Sequence, residues 1–333
     1  MTKAFATPDI DSDQFAVEVR EYFRMPAETH WESVDAGQMN QTWCGAVAGH
    51  KKFVLRLYNA AQSLKSIEEE HHALTLLNEG FPVAVPKPRT GQDGRTVFTD
   101  GDKRFATFGY IPGQTPTVSS NVEAAQLGRL LAGCHKRLCA SPQEFEWIRS
   151  SRLPLSDKPD PSPQFVLDQL EALDRAEAVD PILLNLDLIE RVQTQARISR
   201  VAVSSQDDLQ HLIHGDFNLS NLLYDSVAQS FTAVLDWDEC RWDVPVYDVV
   251  GLLADMTDVG FKSIALQSYL DVLKGSDYSH AMEADAIRSL LPDASYARTY
   301  EELLIMLRTE AHEGVYVNHL VRTLAEPLQG TIS

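Results

Sequence analysis

Near residue 110 the periodicity of this 333-residue chain changes. Before that point apolar residues alternate in the two-residue period of strands. The clearest case is Phe53-Val54-Leu55-Arg56-Leu57-Tyr58, with Phe53, Leu55 and Leu57 on one face and Val54, Arg56 and Tyr58 on the other. After Tyr110-Ile111-Pro112-Gly113, apolar residues recur at the three- and four-residue spacing of helices. Such a pattern predicts an α+β protein with a boundary near residue 110, strands dominating before it and helices after it. The length fits two lobes and a substantial core.

Within the first part, strands are expected at 31–35, 41–47, 53–58, 96–99 and 104–108, the last two around the Asp100-Gly101-Asp102 turn. Short helical patterns cover 15–23 and 63–78. In the second of these, Leu64, Ile67, His71, Leu74 and Leu77 form one stripe and Gly80 follows its end. Of Glu68, Glu69 and Glu70, the 100° step per residue leaves Glu70 nearest that stripe, so it is the inward carboxylate. Residues 82–88, with Pro82, Pro86 and Pro88, must be extended. In the second part, helices are expected at 122–138, 164–176, 181–199, 248–255, 259–274 and 300–324. The segment 141–163 carries Pro142, Pro154, Pro159, Pro161 and Pro163 and reads as a loop.

The formal charge of −19 argues against a nucleic-acid or anionic-membrane partner and is compatible with a cationic substrate. Cys44, Cys134, Cys139 and Cys240 have no CxxC or zinc-ligand spacing and read as free thiols of a reducing compartment. The first fourteen residues are polar and no stretch reaches the length of a membrane span, so a soluble, cytoplasmic protein is expected.

The chemistry concentrates in residues 212–236. The apolar run Leu212-Ile213 leads through His214-Gly215 to Asp216, and Asn221 follows five positions later. A second apolar run, Ala233-Val234-Leu235, ends in Asp236. Phosphoryl transfer from a metal nucleotide calls for these groups: a carboxylate toward the hydroxyl, and an amide oxygen and a second carboxylate toward magnesium. The plainer alternative is a β-hairpin with two solvated aspartates.

The run His214-Gly215-Asp216-x-x-x-x-Asn221 followed by Leu235-Asp236-Trp237-Asp238 resembles the phosphotransferase family of aminoglycoside phosphotransferases, kinase-like homoserine kinases and choline kinases, and more widely the protein-kinase fold. The likeness extends in order from about residue 31 to residue 250. It takes in the 53–58 strand, Glu70-His71-His72-Ala73-Leu74, the linker Phe108-Gly109-Tyr110-Ile111-Pro112-Gly113, Leu127 to His135, and Asp243 to Asp248. The resemblance implies a bilobal kinase-like fold, with a small antiparallel-sheet lobe over 1–108, a hinge at 109–113 and a mostly helical lobe over 114–333, and ATP-dependent transfer to a hydroxyl of a small molecule. It makes Asp216 the base or the group that orients the hydroxyl, and Asn221 and Asp236 the Mg²⁺ ligands. Arg56 stands where the wider fold has lysine. It would contact phosphate with Glu70 as its partner, or be an ordinary strand arginine. Residues 37–42 hold one glycine only, so Asn40 or Thr42 would reach phosphate there, or the segment is a plain turn. Adenine would be held by backbone groups from Phe108 to Tyr110. His214 is expected to brace its loop, His135 to be a packed helix residue, and Asp248 to hold the catalytic loop from behind.

The acceptor is less legible. Asp238 and Glu239 directly follow the metal aspartate and face either the acceptor or solvent. Glu310 falls on the apolar stripe of 300–324 with Gly314. It would bind a substrate amine or hydroxyl there, or pair with Arg241 or Arg308. An amino alcohol, an aminoglycoside or a sugar all remain open as acceptors. The rival readings are a protein Ser/Thr kinase and a catalytically silent nucleotide-binding regulator of the same fold.

Overall fold

The computed structural model describes residues 14–34, 40–60, 62–140, 142–151, 154–174, 184–274, 284–308 and 314–329. The chain forms two compact units, Met1–Gln114 with Leu223–Asp238, and Thr115–Leu222 with Glu239–Ser333. The expected hinge residues 109–113 therefore lie in the first unit, as does the strand pair that follows the catalytic-loop segment.

In the first unit, helix α1 (Gln14–Tyr22) precedes strands β1 (His30–Val34), β2 (Gln41–Val47) and β3 (His50–Leu57). Helix α2 (Leu64–Leu77) and strands β4 (Phe98–Asp100) and β5 (Lys103–Gly109) follow. The five strands pair antiparallel in the order β1-β2-β3-β5-β4. The alternation in β3 has the expected consequence. Leu55, with Phe53 and Leu57 beside it, packs against Trp31, Trp43 and Phe105 and is covered by Val19 and Phe23. Arg56 and Tyr58 turn to the other face, where α2 buries Ile67, Glu70, His71, Leu74 and Leu77. Helix α2 starts where Ser63 accepts the Ser66 N–H and ends at Asn78, whose side chain donates to Leu74 O.

In the second unit, α3 (Asn121–Ala140) buries Leu127, Leu130, Leu131, Cys134 and Leu138, as its spacing requires. A Cβ on Gly128 would meet Ala265 O at 2.0 Å, so glycine permits the close approach of the later helix that carries Ala265. The proline-rich segment expected as a loop instead contains α4 (Pro142–Ser151) and a 3₁₀ turn at Leu155–Asp157. Proline is tolerated in a first helical turn, where its missing N–H would have no helical partner, and Phe145 and Ile148 supply the buried face.

Helices α5 (Pro163–Asp174) and α6 (Leu186–Ser204) come next, α6 capped by Asn185, whose side chain accepts the Leu188 N–H. The strand β6 (His211–Ile213) leads into the catalytic-loop segment. Strands β7 (Leu222–Asp225) and β8 (Ser230–Val234) form a two-stranded sheet, and β9 (Arg241–Asp243), which periodicity does not announce, pairs antiparallel with β6. The chain continues with α7 (Val246–Ala254), α8 (Val259–Lys274), α9 (Ala284–Arg308) and α10 (Gly314–Gln329). Leu303, Leu307, Val317, Val321 and Leu324 share one core with α5 and α6, each buried leucine or valine contributing about 1.5–3 kcal/mol. The stripe expected over 300–324 thus falls on two helices. Glu310 lies outside the described residues.

Candidate active site

In the first unit, the strand pattern points Arg56 at α2. Its Nη1 lies 3.5 Å from Glu70 Oε1 and its Nη2 3.0 Å from Asp236 Oδ1. Glu70 is 2% exposed, so the guanidinium answers a carboxylate that water does not reach. Burial lowers the Arg56 pKa, but the neighbouring Asp236, Glu70 and Asp238 outweigh it and raise the pKa overall. Asp236 has φ 61°, a left-handed backbone that a non-glycine residue adopts at a cost and that recurs at functional positions. Its buried Oδ1 has Arg56 as ion partner yet receives no hydrogen bond of acceptable geometry, so it keeps acceptor capacity.

Asn40 accepts the Asn59 N–H at 3.0 Å and donates to Asp238 Oδ2 at 3.4 Å. Thr42 stands directly opposite Arg56 in the β2–β3 ladder. Residues 35–39, the glycine of the expected phosphate loop among them, are outside the described residues. Phe108 is buried, with its ring 5.9 Å from the Arg56 guanidinium. The Tyr110 N–H is taken by Lys52 O at 2.9 Å. Because ladder bonds alternate along an antiparallel strand, exposed Gly109 turns its N–H and C=O away from β3. On that side Pro88 bridges Phe108, and Arg89 donates its N–H to Thr107 O at 2.8 Å.

In the second unit, the segment from His214 to Asn221 is held from several sides. Asp248 on α7 accepts the N–H groups of His214 and Gly215, both at 2.8 Å. Asp248 also faces His135 Nε2 at 3.1 Å, and His135 Nδ1 lies 2.8 Å from Tyr269 OH. Burial would raise the Asp248 carboxyl, but these partners pull it down to about 2. Gly215 has φ 85°, and a Cβ there would lie 2.2 Å from Glu239 O, so glycine is required on both counts. His214 is buried, and its Nδ1 accepts the Asp216 N–H at 3.2 Å.

Asp216 leaves the loop 38% exposed, with both oxygens engaged. Asn221 Nδ2 donates to Asp216 Oδ2 and to the Asp216 carbonyl, each at 2.9 Å. Both partners are acceptors, so this end of the amide must be nitrogen and the other end is the oxygen. Arg298 Nη2 donates to Asp216 Oδ1 at 2.7 Å, and Arg298 Nη1 to Gly215 O at 3.0 Å. Burial pushes the Asp216 carboxyl up, but the Arg298 guanidinium outweighs it and holds the group below its usual value. Arg298 has no counterpart in the sequence reading. The available signal was helical spacing: with Ala294, Ala297 and Tyr300 buried, position 298 adjoins the inward stripe of α9.

The residues considered for the acceptor all have protein partners where they are described. Asp238 meets Asn40, and Glu239 lies 3.5 Å from Lys158, which also holds Glu301 at 3.1 Å. Arg241, considered as a partner for Glu310, bonds Asp243 at 2.9 Å. Among the described residues no group of three His, Cys, Asp or Glu side chains could hold a metal ion alone, and no helix is long and apolar enough to cross a membrane.

The model of a family described as phosphotransferase enzymes matches residues 30–281. No curated protein matches the chain. Among solved structures, the GDP and kanamycin complex of APH(2'')-IIia superposes with a TM-score of 0.63 at 17% identity, covering 96% of this chain and 99% of that one. An amicoumacin kinase in complex with AMP-PNP, Ca²⁺ and its ligand gives 0.66 at 14% identity, covering 95% and 94%. A microcompartment-associated aminopropanol kinase gives 0.64 at 18%, covering 95% and 97%. Identities this low carry the fold alone.

Proposed function

The chain belongs to the phosphotransferase enzyme family, and from that premise we propose that it transfers the terminal phosphoryl group of ATP to a hydroxyl of a small molecule. The observation that carries this reading is the pairing of Asp216 with Asn221. One residue offers a carboxylate toward an acceptor, and the other turns its amide nitrogen inward so that its oxygen is left for a cation. Asp216 orients the acceptor hydroxyl and takes its proton as the oxygen bonds to phosphorus. With its carboxyl held low it is a weak base, so orientation is the larger part of its work. Arg298 and the Asp248 braces keep that carboxylate ionised and in place.

Arg56, supported by Glu70, supplies positive charge to the nucleotide phosphates, with Asn40 and Thr42 on the neighbouring strand side. Backbone groups from Phe108 to Tyr110 would hold the adenine edge. Asn221 would offer Mg²⁺ its amide oxygen, and Asp236 would offer a carboxylate oxygen that receives no hydrogen bond. When bound with the nucleotide, magnesium neutralises charge developing on the phosphates. The net charge of −19 favours an acceptor bearing an amine, and Asp238, Glu239 and Glu310 are the candidates for contacting it.

An ADP-release assay with ATP and magnesium against a panel of hydroxyl compounds, half of them amines, tests the reading. Acceptor-dependent turnover on any member supports it. Thermal stabilisation by ATP without turnover on any acceptor would count against it and favour the silent nucleotide-binding alternative.

A further inference from the structure

Helix α7 meets the segment around Asp216 at two places. Asp248 takes the His214 and Gly215 N–H groups, and one turn further on stands Gly251, which is buried. Glycine is the poorest helix former in α7 and costs stability in a helix interior relative to alanine, so its presence calls for a packing reason. The reason lies on its open side. A Cβ on Gly251 would lie 2.9 Å from Phe217 O and 3.1 Å from both Cζ and Nε of Arg298. Those separations are shorter than ordinary van der Waals contact.

Neither neighbour gives way without disturbing Asp216. The Arg298 guanidinium is pinned by two bonds, Nη2 to Asp216 Oδ1 at 2.7 Å and Nη1 to Gly215 O at 3.0 Å. The group is planar and rigid, so displacing its Nε and Cζ also displaces the two nitrogens that make those bonds. The Phe217 carbonyl belongs to the residue after Asp216. Its ring is buried and stands edge-on to His214 at 5.7 Å, which leaves this part of the backbone little freedom to retreat.

We propose that Gly251 is a positioning residue for phosphoryl transfer: its missing side chain is the gap that admits the Arg298 guanidinium to Asp216, and so sets the aim of the acceptor carboxylate. The proposal rests on the role assigned to Asp216 above. Gly251 offers no side chain to either substrate and acts through Arg298. Its effect falls on transfer rather than on ATP binding, because Gly251, Arg298 and Asp216 belong to the second unit and Arg56 to the first.

The test is a double-mutant cycle on the full-length protein. Turnover and ATP affinity are measured for wild type, Gly251→Ala, Arg298→Ala and the double variant, with an acceptor found by the panel. Gly251→Ala should lower kcat roughly tenfold and leave the KM for ATP near that of wild type. Arg298→Ala removes the side chain that the methyl group would strike. In that background Gly251→Ala should change kcat by less than about twofold. Equal fold losses in the two backgrounds, or full kcat in Gly251→Ala, would overturn the proposal.

Urea unfolding of the same four proteins gives a second reading that needs no turnover. The penalty for adding the methyl group should shrink when Arg298 is alanine, and an equal or larger penalty there would overturn the proposal. Where Gly251→Ala does not fold, the double variant should, and its failure to fold would also overturn it. A wild-type protein that transfers phosphate to no acceptor would instead refute the reading of Asp216, and the role of Gly251 with it.

Discussion

Arg298 Nη2 lies 2.7 Å from Asp216 Oδ1, so the carboxylate nominated for the acceptor is already bonded to a cation from a helix more than eighty residues downstream. The second nitrogen of the same guanidinium takes the neighbouring Gly215 carbonyl, which fixes the rotation of the loop as well as the side chain.

Arg298→Gln keeps one donor and removes the charge. Turnover should fall by roughly a hundredfold, because a misdirected acceptor group is costly, while ATP affinity stays near that of the wild type. Steady-state kinetics beside an ATP titration separate the two effects.

Arg56→Met should destabilise the protein by about 3 kcal/mol, since it leaves the Glu70 carboxylate buried without its cation. Arg56→Lys restores charge but spans one carboxylate less well than two, so the loss should be smaller and ATP binding weakened but present. Urea unfolding of both variants checks the order.

Asp248→Asn removes the charge that accepts two backbone N–H groups and faces His135. A loss of about 3 kcal/mol in stability is expected, together with loss of turnover as the Asp216 loop loosens. Far more activity than stability retained would show that the loop does not depend on this brace.

His71 and His211 both have native pKa values of about 3, lowered first by burial, against 6.5 for free histidine. Between those values the unfolded chain binds protons that the folded chain does not. Stability should therefore fall as pH drops from about 6.5 toward 3, each histidine contributing a slope approaching about 1.4 kcal/mol per pH unit. His71→Gln should flatten the curve of unfolding free energy between pH 6 and about 4.5. An unchanged slope would contradict a neutral buried imidazole.

Much of the fold was legible where one helix or strand decides its own pattern. Strand β2 and helices α2 and α8 lie where periodicity and caps put them, and Glu70 faces inward as its helical angle requires. Helix α4 was hidden because its prolines sit at and beyond its ends, where proline is compatible with a helix, and the two buried residues that justify it are spaced too briefly to register. Strand β9 was hidden because three residues gain their identity only from pairing with β6. Residues 214–221 stood out in the sequence as a motif; the side chains that brace them were not equally legible. Asp248 was anticipated from its place in the resembling stretch, whereas Arg298 joins Asp216 across 82 positions and leaves no local signature.

The most direct test follows the label from γ-³²P ATP in a single turnover, using wild-type protein and Asp216→Asn with an acceptor found by the panel. Wild type should place the label on the acceptor, and Asp216→Asn should bind ATP with similar affinity yet transfer almost none. Full transfer by Asp216→Asn would contradict the assignment of this carboxylate to the acceptor hydroxyl.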